Sequence, residues 1–64
     1  MINLDTVKID NDKDYLIKFL YIGVPCYERV TSNQLRSLKM HGIVKNGIFG
    51  KIIKDENILS IEII

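Results

Sequence analysis

The sequence predicts an α+β fold, a small antiparallel sheet of about four strands with one short helix packed on it, in the order β-β-α-β-β. Three observations carry this. Residues 31–43 hold a full set of helix start and stop signals. Apolar runs rich in Ile, Val, Tyr and Phe stand on both sides of that helix, and such residues suit a half-buried pleated surface. Polar clusters of turn formers, at residues 10–14, at Asn46-Gly47 and at residues 55–57, separate the runs at hairpin spacing.

Residues 1–9 alternate imperfectly. Ile2 and Leu4 share one parity and Val7 and Ile9 the other, so the strand expected here needs a bulge near Asp5 and Thr6. Asp10, Asn11, Asp12, Lys13 and Asp14 then form a hairpin loop, and Tyr15 begins the return strand. Over residues 15–24 a strand puts Tyr15, Ile17, Phe19 and Tyr21 on one face and Leu16, Lys18, Leu20 and Ile22 on the other. A helix is the alternative. Asp12 or Asp14 would cap it, Leu16, Phe19 and Leu20 would form its stripe, and Gly23 with Pro25 would end it. Aromatic and β-branched content favours the strand, although period alone does not separate the two for a short apolar run. Residues 23–29 read as a connector, in which Pro25 biases Val24 to extended geometry.

Ser32 to His41 is the expected helix. Thr31 and Gln34 make a capping box, in which each side chain serves the other's backbone N–H. Val30 and Leu35 stand at the spacing of a hydrophobic staple. Gly42 falls where a left-handed stop residue is needed, with Ile43 placed to touch Leu38. Arg36, Lys39 and His41 lie toward the C-terminal end, where cations suit the helix dipole. So short a helix is marginal alone and must dock through Leu35 and Leu38. Ile43 and Val44 then start a strand, and Asn46-Gly47 suits a tight turn with positive φ at both central residues. A strand over residues 48–54 carries Gly50 as a bulge or close approach. A turn at residues 55–57 leads to a final strand over residues 58–64, with Leu59, Ile61 and Ile63 on one face.

The chain has 64 residues, which suits one domain and leaves much of its surface unburied. Small domains usually gain disulfides, metal or oligomerisation. One cysteine, Cys26, excludes an internal disulfide, and one cysteine with one histidine, His41, falls short of a four-ligand zinc site. Self-association remains, and an apolar content of 47% favours it. No apolar run reaches the roughly 18 residues of a membrane span. No signal-peptide pattern opens the chain, and with the single thiol this points to a cytoplasmic setting. The abundance of Ile, Lys and Asn fits an AT-rich genome, such as a low-GC bacterium or its phages and mobile elements. The net charge is +1, but both ends are acidic and the middle is basic.

The chemistry favours binding over catalysis, with no cofactor expected. Cys26 and His41 lack the surroundings of an activated nucleophile. Asp10, Asp12 and Asp14 lack the downstream glycine and bidentate glutamate of a calcium loop. The glycines serve turns and stops rather than a phosphate cradle. The leading expectation is a non-enzymatic homodimer that binds, and inhibits or regulates, a larger protein. Counter-defence and host-takeover proteins of phages act in this manner. The expected partner surface is Tyr27, Arg29, Asn33, Arg36, Lys39 and Met40, since aromatic residues, arginine and methionine are enriched at interfaces. The alternative is a small nucleic-acid-binding regulator. It would present Asn33, Arg36, Ser37 and Lys39 from the helix, use Arg29, Lys45 and Lys51 on phosphate and stack bases on Tyr21 and Tyr27. Against it, a pI near 7.9 lacks a dedicated binder's basic footprint.

Residues 31–63, a polar helix ending in Gly42-Ile43-Val44 and running into a hairpin, resemble the last part of a winged-helix domain. That resemblance implies a reduced winged-helix-like fold as the alternative architecture. Residues 1–30 look mostly extended and leave no room in front for the usual three-helix bundle.

Overall fold

Sequence signals at residues 31–42 translate directly into the helix α1, Ser32–His41. The computed structural model describes residues 3–46 and 50–64. The Gln34 amide donates to the Thr31 hydroxyl at 3.2 Å, and the Thr31 amide donates to the Gln34 side-chain oxygen at 2.9 Å. Gly42 closes the helix at φ 75°, its amide donating to the Leu38 carbonyl at 2.8 Å. Leu35 and Leu38 are both fully buried. Burial of two leucines contributes roughly 3–6 kcal/mol. That offsets a helix-nucleation penalty of about 4 kcal/mol, so the short helix depends on its docking.

The fold is α+β, as expected, with its strands in two sheets rather than one. Strands β1 (Tyr15–Tyr21), β2 (Val24–Val30) and β5 (Ile58–Ile63) form an antiparallel sheet in the order β2-β1-β5. Strands β3 (Ile43–Asn46) and β4 (Lys51–Lys54) form a separate antiparallel hairpin. Tyr15, Ile17 and Phe19 alternate toward the core from β1, as expected of a strand there, and the helical alternative for residues 15–24 is set aside. Leu4, Val30, Leu35, Leu38, Ile53 and Ile58 complete the core. A register shift opposite Lys18 and Phe19 lets β5 turn Ile58 inward.

Several expectations need correction. No strand runs through described residues 3–9. A 3-10 turn, Leu4–Thr6, stands there instead, capped by the Asn3 side chain on the Asp5 amide at 3.0 Å. Met1 and Ile2 lie outside the described residues. The connector expected at residues 23–29 is strand β2. The return strand ends at Tyr21, and a two-residue turn, Ile22-Gly23, joins it to β2 with φ of 51° and 75°. Pro25 is tolerated because β2 is an edge strand. Gly50 stands at φ 68° just before β4 rather than inside a strand, and the close approach expected of it is present, because a Cβ there would collide with the Lys45 side chain. Asn46 belongs to β3 and pairs with Lys51, while Gly47, Ile48 and Phe49, the rest of the expected turn and strand start, lie outside the described residues. The winged-helix-like alternative fails because the last strand joins β1 in the main sheet and residues 15–30 are a hairpin.

Candidate functional site

The segment before β1 acts as a strap across α1. Leu4 is buried in the core, and Val7 and Ile9 pack against its edge. The Asp10 amide donates to the hydroxyl of buried Tyr15 at 2.7 Å. The Ser32 hydroxyl donates to the Asn11 carbonyl at 3.2 Å, and the Arg36 guanidinium donates to the Asn11 side-chain oxygen. The strap is therefore anchored by an apolar plug at Leu4 and by polar bonds at residues 10–11.

Between strap and helix lies a groove of about 580 Å³, lined by Asp5, Val7, Lys8, Ile9, Arg36, Lys39 and Met40. Arg36, Lys39 and Met40 share a helix stripe because positions three and four apart are neighbours. Met40 is 77% exposed, well above what a core methionine would show. Lys8, Arg36 and Lys39 face one carboxylate, Asp5, across this lining, and none of the three makes an ion pair with a described residue. The partners of Arg36 are neutral amide oxygens of Asn11 and Asn33, the latter at 3.5 Å. They orient the guanidinium and leave its charge available. The groove thus combines a positive rim with an apolar lining from Val7, Ile9 and Met40.

The six residues expected to form one surface are split between two. Asn33, Arg36, Lys39 and Met40 stand together on α1. Tyr27 and Arg29 project from the face of β2 opposite Val30, away from the core and the helix. Tyr27 lies under the Lys18 ammonium at 5.8 Å, and Arg29 bonds Asp14 at 2.7 and 3.1 Å. Four groove residues, Asp5, Val7, Lys8 and Ile9, come from the strap and were not expected to take part. The Asn3 cap on a short turn is the local signal that a strand reading of residues 1–9 overlooks.

Cys26 is half-buried opposite Phe19, and His41 is exposed at the helix end. No group of three or more His, Cys, Asp and Glu side chains placed to hold a metal ion occurs among the described residues. No described helix is long and apolar enough to cross a membrane. No protein-family model matches the chain, and no curated protein or solved structure matches it.

Proposed function

We propose that this protein is a small non-enzymatic binding module that docks on a larger protein through the groove between strap and helix. In this reading it works in the cytoplasm as a homodimer and inhibits or regulates its target. The observation that carries the reading is the groove's pairing of three cations, none in an ion pair with a described residue, with an apolar lining. That combination suits an acidic segment with interspersed apolar side chains. Charge would speed and orient the encounter, and burial of Met40, Val7 and Ile9 would supply affinity. A nucleic acid fits less well. Among the described residues the groove has no aromatic lining for base stacking, Asp5 would repel phosphate, and Tyr27 stands on another face.

A tagged pull-down from native-host lysate, with nuclease and with the double variant Arg36→Glu/Lys39→Glu, tests this. The expected result is one near-stoichiometric protein that survives nuclease and disappears with the variant, while the variant keeps its circular-dichroism spectrum. Retention of that protein by the variant, or recovery of nucleic acid with partners lost on digestion, would overturn the reading.

A further inference from the structure

The geometry points to β5 as the homodimer interface, pairing antiparallel with β5 of a second copy about a two-fold axis at Ile61. This rests on the homodimeric part of the reading above and names its surface. Tyr21 and Val24 flank a two-residue turn, so Tyr15, Ile17 and Phe19 turn their backbone groups toward β2. Leu16 and Lys18 therefore serve β5, through Glu62 and Ser60, and the Asp14 carbonyl takes the Ile64 amide at 3.0 Å. Ile61 and Ile63 are left with N–H and C=O directed away from β1, and no described strand lies beside them.

The other edges are guarded. On β2, Pro25 is one of the residues facing outward and offers no N–H. The β3–β4 hairpin has only four residues per strand and carries Lys45, Lys51 and Lys54. By contrast β5 has no proline or lysine, and Leu59 and Ile63 are 45% and 58% exposed. One open edge and one shut edge dictate the symmetry. A β5-to-β2 contact would repeat into a fibre and is blocked by Pro25, whereas a β5-to-β5 contact closes at two copies.

The side chains select the register. With the axis at Glu62, each copy's Glu62 would oppose the other. With the axis at Ile61, Glu62 stands opposite the second copy's Ser60 and Ile61 opposite itself, while Leu59, the extra residue at the register shift, falls beside its Ile63. Apolar meets apolar on one face, and the one charge meets a hydroxyl on the other. Two sheets of three strands become one of six.

Light scattering on the full chain should give twice the 7.4 kDa of one copy, with dissociation on dilution. The decisive variants are Ser60→Glu and Ser60→Lys. Within one copy Ser60 pairs with Lys18, so glutamate should favour the fold and lysine should not. Across the axis the order reverses, because residue 60 meets the second copy's Glu62. Ser60→Glu should weaken the dimer about tenfold and Ser60→Lys should tighten it, from two symmetric cross-strand pairs. Ile63→Lys, which adds an edge guard at an exposed position, should also yield monomer. A wild-type monomer at all concentrations would overturn this interface and the homodimer together. A dimer whose affinity ignores residue 60, or follows fold stability instead, would leave dimerisation standing and overturn this interface alone.

Discussion

Ile22 occupies a position that its own chemistry disfavours. It is β-branched, lies at φ 51° and is 85% exposed, so it contributes nothing to the core. A left-handed backbone costs a residue with a Cβ about 1–2 kcal/mol, and Asn or Gly at this turn position relieves it. Ile22→Asn should therefore stabilise the protein by about 1 kcal/mol. The check is a rise in the urea midpoint at unchanged slope, and a fall in midpoint would contradict this description of the turn. The same residue explains why the hairpin is hard to read from sequence. Asn-Gly announces such a turn, whereas Ile-Gly looks like the continuation of an apolar strand. The helix was legible to the residue because Thr31, Gln34 and Gly42 signal through local backbone bonds that need no tertiary context.

The strap is the least regular element and the one that makes the groove. Its path depends on Leu4 entering a core built by residues far along the chain, and on Asn11 bonding Ser32 and Arg36 of the helix. None of these partners is visible in the local pattern, so residues 1–9 read as an imperfect strand. Strand β2 was obscured for a related reason. Pro25 argues against a central strand, and only the sheet order reveals that β2 is an edge where proline is acceptable. If the strap is held by Leu4, Leu4→Ala should cost about 2–5 kcal/mol in denaturant unfolding. Lys8→Ala, at an exposed strap position, should leave stability within about 0.5 kcal/mol and weaken partner binding. A neutral Leu4→Ala would mean that the strap is not anchored through the core.

In the whole molecule, two surfaces follow from how the layers meet. The helix and strap cover the inner face of the main sheet and create the groove between themselves. The sheet keeps β5 open at one edge and closes β2 with Pro25 at the other. The α+β class and the residues of α1 could be read from the sequence, because periodicity and caps encode them. The assembled site could not, since it joins residues 5–9 to residues 36–40 across the chain. The separation of Tyr27 and Arg29 from the helix also depends on which face β2 turns to the core.

The proposed docking of an acidic, partly apolar protein segment in this groove can be observed residue by residue. The most direct measurement is an amide-resolved NMR titration of the full chain with a peptide of alternating Glu and Leu, repeated with a DNA duplex. Docking in the groove should produce peptide-induced shifts at Val7, Lys8, Ile9, Arg36, Lys39 and Met40, little change at Tyr27, and weaker binding as salt screens the rim. Shifts centred on Tyr27, or tighter binding of the duplex than of the peptide at the same residues, would contradict it.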